Sequence, residues 1–551
     1  MPQTDNSHNY RETGKVYMSA RGDNGPSRAS WAARRRWLMQ TGALAGSAAL
    51  PLWVPRASAQ AQSTLNALPR VALIIGNTNY VDSPLKNPGN DAKAIAGELQ
   101  KVGFKTNLQL DTGRVQLAES IQAFGADLAK SKGVGLFYYA GHGAQLGWRN
   151  YLIPVDADVQ KLEDMRTQTV ELNILLAGLT KAQNAMNVII LDACRDNPFG
   201  SKVPTEHKGL SQFDAPARSL LAYATSPGNT AGDGSGAHGL YTENLLREIK
   251  VPEAKIEDVL KRVRLNVRRT SEGQQIPWES TSLEEDFYFL PPQHVRKLSE
   301  AEMEKQFNEE LAVWEKIKHA KDPGALVEYL RKNPSGRFSE LAQYQLDRVL
   351  AQLGEKKIEL VVEKDNPFTK GSARIDTQFK VGDSYTYREI DLFTKIESRT
   401  VINRIAQITE DRMIFGNGGL ITDLLGNQIK VPNGSVFSGA QFFIAEYAIG
   451  KKWSTRFKVN HPNGSTSENE IELKVVSREQ ITVPAGSFDA FKVEGEGWSR
   501  NSVTSGSWSL KPKYWIAPGI RRPVAREEYR RHLSGKVSNN ERYELTAYVQ
   551  Q

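Results

Sequence analysis

A mainly parallel α/β sheet flanked by helices, then a short helical segment and a C-terminal antiparallel β domain, is the architecture this sequence predicts. Three observations carry it. From Arg70 to about Leu290, short apolar runs alternate with longer amphipathic stretches, the pattern of strands covered by helices. After Pro291-Pro292 the chain becomes highly charged, with Leu, Ala and Trp at helical spacing from Ser299 to Gln352. From about Lys357, short Val/Ile/Phe/Tyr/Trp-rich segments alternate with Gly, Asn and Pro turns, as antiparallel strands do. A chain of 551 residues is too long for one core, so several folded units are expected. Hydrophobic content of 39% and charged content of 24% exclude a largely disordered chain and a multi-spanning membrane protein. The expected divisions are 1–59, 65–292, 296–355 and 356–551.

The first division reads as an export signal. Arg34, Arg35 and Arg36 precede Trp37 and Leu38, a weakly apolar stretch runs to Val54, and Ala57-Ser58-Ala59 supplies small residues for cleavage after Ala59. Paired arginines directly before the apolar stretch resemble a twin-arginine signal, which places the mature protein in the periplasm or outside the cell. The length before the arginines leaves Met18 as an alternative start. An uncleaved anchor fits less well, because Gly42, Gly46 and Pro51 interrupt a short stretch; no stable span is expected after cleavage. Residues 1–59 hold eight Lys/Arg and three acids, so the formal charge of +8 falls to +3 without them. That balance gives no reason to expect a nucleic-acid partner.

Within 65–292, strands are expected over 71–75, 134–139, 188–191 and 219–223, and helices over 91–102, 115–130, 171–182, 241–249 and 256–268. The stretch 296–355 reads as one helical hairpin turning at Asn333-Pro334-Ser335-Gly336, a spacer or packing arm with a faint likeness to a tetratricopeptide pair. The β-rich end contains no cysteine, and its default reading is docking to an envelope partner.

Two motifs close two of the expected strands, where open α/β sheets place their ligand sites. They are Tyr139-Ala140-Gly141-His142-Gly143 and Asp192-Ala193-Cys194-Arg195-Asp196. Cys194 is the chain's one cysteine, so no internal disulfide can form; alone, such a residue is usually a small core hydrophobe. A thiol at one strand end and an imidazole at a neighbouring one instead suit nucleophilic catalysis. Glycines on both sides of His142 let backbone and substrate approach closely.

In these blocks the chain resembles the caspase-like cysteine peptidases (family C14), specifically the bacterial relatives of metacaspases. Further blocks follow in family order: Leu73-Ile74-Ile75-Gly76-Asn77, Asn90-Asp91-Ala92, Asn197-Pro198-Phe199, Tyr223-Ala224-Thr225-Ser226-Pro227-Gly228 and Gln275-Ile276-Pro277-Trp278-Glu279. The 52-residue separation of His142 and Cys194 is close to the family interval of about 50. The resemblance implies a caspase-like fold, Cys194 as nucleophile and His142 as general acid/base. It implies an oxyanion hole from the backbone N–H groups of Gly143 and Cys194. It also implies cleavage of protein or peptide substrates after Arg or Lys, recognised by Asp91 and Asp192, whose carboxylates suit a guanidinium.

Departures from the family pattern are visible. Ala140 stands where many metacaspases have Ser. Arg195-Asp196-Asn197 replaces His-Ser-Gly, and Arg195 either pairs with Asp192 or lowers the thiol pKa. Asp156 and Asp158 do not make the oxygen-rich site that calcium activation requires, so no metal or other cofactor is expected. Lys202, Lys208 and Arg218 are candidate self-processing sites. The competing readings are a non-catalytic caspase-like recognition module and another cysteine hydrolase or acyltransferase on the same scaffold.

Overall fold

Seven largely apolar residues, Arg70–Gly76, form β1 near the centre of a sheet in a computed structural model describing residues 64–194, 199, 209–226, 236–293, 298–355, 366, 369, 371–503 and 506–551. The expected signal segment, Arg195, Lys202 and Lys208 lie outside the described residues. Around β1 the elements alternate as the sequence pattern requires: α1 (Pro88–Lys101), β2 (Phe104–Leu110), α2 (Arg114–Ser131), β3 (Val134–Leu146), β4 (Arg149–Leu152), α3 (Asp164–Gln168), β5 (Val170–Glu171), α4 (Asn173–Ala182), β6 (Met186–Cys194), β7 (Ser219–Tyr223), α5 (Leu240–Glu248), α6 (Ile256–Thr270) and β8 (Trp278–Thr281). The sheet order is β2-β1-β3-β6-β7-β8, parallel except for β8, while β4 and β5 extend β3 as an antiparallel flap.

Alternate residues of each central strand feed two cores. Ala72, Ile74, Tyr138, Val188 and Ile190 pack under α1, α5 and α6. Leu73, Ile75, Phe137, Tyr139, Ile189 and Leu191 pack under α2 and α4. Burial on both faces explains why these strands read as continuous apolar runs. Arg70 ties the end of this unit back to its beginning: its guanidinium donates to the carbonyls of Val102 (2.9 Å), Phe289 (3.0 Å) and Tyr288 (3.2 Å).

The charged stretch forms three helices, α7 (Glu300–Ile317), α8 (Pro323–Lys332) and α9 (Ser339–Gln352), rather than a single hairpin. Pro323 lacks the N–H an interior turn needs and starts a new helix instead. Beyond it, thirteen strands between Ser384 and Val549 form an antiparallel sheet, closed on itself where Thr466–Val483 pairs with Gly486–Asn501. A separate pair, Ser372–Arg374 with Glu446–Ala448, lies against the first unit. Trp278 of β8 donates to Glu446 there (3.2 Å). Among the described residues, no helix is long and apolar enough to cross a membrane.

Candidate active site

β3 and β6 pair in parallel register from Val134 with Met186 to His142 with Cys194. The imidazole-bearing and thiol-bearing residues are thus direct neighbours across two hydrogen-bonded strands, at the last step of their pairing. β3 then continues into the β4 hairpin, pairing Gly143 with Leu152. The Ile153 N–H donates to the His142 carbonyl (3.1 Å), which makes Gly143–Leu152 a non-hydrogen-bonded pair of that ladder. The Gly143 N–H is therefore not used by β4.

His142 is fixed from several sides and is 4% exposed. Its N–H donates to the Tyr80 hydroxyl (2.8 Å). Its carbonyl accepts from the Tyr139 hydroxyl (2.8 Å). The Tyr80 ring lies 4.4 Å from the imidazole, centroid to centroid. Burial drives the Tyr139 phenol well above its ordinary pKa, so it remains a donor. Nε2 is 2.7 Å from the Ser83 carbonyl. A carbonyl only accepts, so Nε2 carries the proton and Nδ1 is the lone-pair nitrogen of the neutral ring. Gly141 has φ +155°, and a Cβ there would lie 2.6 Å from the Tyr80 hydroxyl. The tight wrapping of Tyr80 around this strand requires a glycine.

The two predicted acids converge on the N-terminus of α5. Asp91, in the first turn of α1 and 3% exposed, accepts from the Gly239 N–H (3.2 Å to Oδ2) and lies 2.8 Å from His238 Nδ1. Asp192, one position beyond Leu191 on β6, accepts from the Thr242 hydroxyl (2.6 Å), which is itself 2.6 Å from the Tyr138 hydroxyl. A Cβ at Gly239 would lie 3.2 Å from Asp91 Oδ2 and 3.8 Å from Asp192 Oδ2; both carboxylates border the same spot. Burial and the nearby charges of Asp192 and Asp91 push the Tyr138 phenol far up, so it donates and cannot compete as an anion. The arrangement suits a cationic side chain, with His238 already at one carboxylate.

Asp156, one of the acids weighed as a calcium ligand, accepts from the Arg114 N–H (2.8 Å) at the start of α2; Asp158 accepts from Gln160 (2.6 Å). Arg218 is exposed immediately before β7. A strap after β6 links the site to the C-terminal region. Leu210 is fully buried, and a Cβ on Gly143 would lie 2.9 Å from its Cδ2. Asn150 clasps the backbone of Ser211 in both directions (2.7 and 2.8 Å). Asp214 accepts from the Ser372 hydroxyl (2.9 Å) and from the Gly371 N–H.

Sequence reasoning missed Tyr80, Ser83, Tyr138, His238 and Thr242. Ser83 acts through its backbone carbonyl, which no residue-type signal marks. His238 stands far along the chain from Asp91 and meets it only through the fold.

The sheet order and the His142–Cys194 register define a caspase-like α/β domain. Residues 69–288 match the family model of the caspase domain, Peptidase_C14, and this part of the chain is caspase-like. Over 166 residues the chain is 31% identical to the human mucosa-associated lymphoid tissue lymphoma translocation protein 1, covering 29% of this chain and 19% of that protein. The homologue from Mus musculus gives the same figures. The chain thus spans about a fifth (19%) of the length of the curated relatives it matches. The crystal structure of the Drosophila initiator caspase Dronc is similar with a TM-score of 0.31 and 14% identity, covering 42% of this chain and 85% of that one.

Proposed function

We propose that the protein is a cysteine endopeptidase that cuts protein or peptide substrates after Arg or Lys. One observation carries the reading: the lone cysteine and the wrapped histidine occupy paired positions on adjacent strands. In this reading His142 Nδ1 accepts the Cys194 thiol proton, the thiolate attacks the scissile carbonyl, and the N–H groups of Gly143 and Cys194 receive the oxyanion. His142 returns the proton to the leaving amine, and water then hydrolyses the thioester. Asp91 and Asp192 receive the substrate's cationic side chain. The export signal read at residues 34–59 makes the periplasm or the cell exterior the proposed setting.

Steady-state cleavage of short peptides with Arg, Lys or Asp before the scissile bond tests this. Arg and Lys peptides are expected to be cut, with activity lost in Cys194→Ala and His142→Ala. A folded wild type that cuts no member of the panel sinks the proposal and favours a recognition module, which would bind without turnover.

A further inference from the structure

One end of the closed β domain is docked and the other is not. The turns beside Ile408 and Lys452 face the rest of the molecule: Arg348 of α9 donates to the Glu410 carbonyl, and Lys452 donates to the Glu284 carbonyl (2.9 Å). Strand register puts a different set of turns at the far end. Asp391 is level with Glu541, Leu392 donates to the Asn540 carbonyl (2.9 Å), and Leu533 donates to the Ser507 carbonyl (3.0 Å). Three adjacent hairpins therefore end together: Ser384–Asp391 with Glu397–Ile408, Ala525–His532 with Val537–Val549, and Gly486–Asn501 with Ser507–Leu510. Six neighbouring strands span roughly 25–30 Å of rim.

These tips carry Phe393, Ile396, Val503 and Leu533, which are 64%, 65%, 71% and 77% exposed. Adjacent turns of one rim thus raise four large apolar side chains into water. Around them Lys395, Arg500, Arg531 and Lys536 are all exposed, against the three acids Asp391, Glu397 and Glu541. The Asp391 carboxylate is turned inward onto the N–H groups of Phe393 and Thr394 (2.8 and 2.9 Å). None of the four cations forms an ion pair among the described residues.

We infer that this rim docks on an anionic phospholipid surface, with the four apolar tips entering the interface and the four cations meeting headgroup phosphates. The four apolar groups sit on three protruding turns, Phe393 and Ile396 on one and Val503 and Leu533 on one each. A fluid bilayer accommodates apolar tips raised on several turns. The cations add an attraction specific for negative headgroups. This inference stands apart from the peptidase reading.

Vesicle flotation of the full chain, its N-terminal segment unchanged in every variant, tests it. With vesicles of equal phosphatidylglycerol and phosphatidylcholine, flotation is expected to exceed that with phosphatidylcholine alone by about tenfold and to weaken in high salt. A fourfold Ser replacement (F393S, I396S, V503S and L533S) and a charge reversal (K395E, R531E and K536E) should each lower it by about tenfold. The variants change exposed residues of the turns and, at Arg531, of the end of Ala525–His532, and circular dichroism confirms their folding. In a separate Phe393→Trp protein, the added indole's fluorescence should shift to the blue on the anionic vesicles. Flotation equal in wild type and both variants, or equal on both lipids, overturns the inference. So does concentration-dependent self-association that the Ser variant abolishes while wild type ignores vesicles, since the rim would then be an interface between copies.

Discussion

Thr242 both faces the Tyr138 hydroxyl and donates to Asp192 Oδ2, each at 2.6 Å, so the Asp192 carboxylate is oriented by a relay of two hydroxyls. Replacing the threonine by valine keeps the shape and removes the donor. A lost hydrogen bond to a charged group is worth about 1.5–3 kcal/mol, so Thr242→Val should raise KM for an Arg peptide by about tenfold or more, with kcat nearly unchanged. Thr242→Ser should restore it. Alkylation of Cys194 by iodoacetamide reads the thiol without any substrate and should be unaffected; a parallel fall in alkylation and kcat would mean general damage to the site. The pairing of His142 with Cys194 was legible because each residue follows a strongly apolar run. Tyr138 was read only as part of such a strand. Its hydroxyl's partners, Asp192 at 3.3 Å and Thr242 at 2.6 Å, lie 54 and 104 residues away.

Strand and helix meet most closely at Gly76, the last residue of β1, where a Cβ would lie 2.4 Å from the Pro88 carbonyl oxygen and 2.6 Å from Ala92 Cβ. The backbone of α1 thus rests directly on the strand end, and that contact sets the height of Asp91 above the sheet. Gly76→Ala must push α1 outward. Overpacking of this kind costs about 1–3 kcal/mol, which urea unfolding would measure, and the shift of Asp91 should raise KM for Arg peptides as well. A variant as stable as wild type would show that α1 yields freely. The same packing explains which elements could be read from the sequence. The four doubly buried strands were visible as apolar runs, but β2, Phe-Lys-Thr-Asn-Leu-Gln-Leu, is an edge strand with one buried residue whose polar composition resembles a loop. β3 extends to Leu146, beyond its expected end, because Gly141 and Gly143 lack β propensity and are held extended by pairing with β4 and β6. In the helical segment, α8 and α9 form the expected hairpin around residues 333–336, while α7 packs Phe307 and Trp314 into the same core as a third member.

At the scale of the whole molecule, the caspase-like domain, the helices and the β domain enclose a cleft of about 1520 Å³ lined by, among others, Lys255, Glu257 and Lys261 of the α6 region, Glu340 and Asp347 of α9, and Lys451 of the β domain. Closure of the β domain and this three-way docking depend on pairings far apart in sequence, so alternating strand patterns alone could not reveal them. Within the cleft, Glu257 Oε2 is buried with no hydrogen-bond partner among the described residues. Burial, aided by the charge of Asp286, raises its carboxyl from 4.5 to about 7, against the opposing pull of its own backbone N–H, Lys261 and Lys255. Between those two values the folded protein holds a proton that the unfolded chain has released, so raising the pH through the window removes stability. Glu257→Gln is neutral throughout and has no such slope. Denaturant unfolding of both proteins should give nearly equal stability at the acid edge of the window, with the variant about 1–3 kcal/mol more stable above its alkaline edge. The slope depends on the cleft staying closed, because a helical arm or β domain that swung away would admit water to Glu257 and return its carboxyl to the ordinary range. Parallel pH profiles for the two proteins would therefore show that the three units do not enclose this carboxyl in solution, and that the C-terminal half is tethered to the caspase-like domain rather than seated on it.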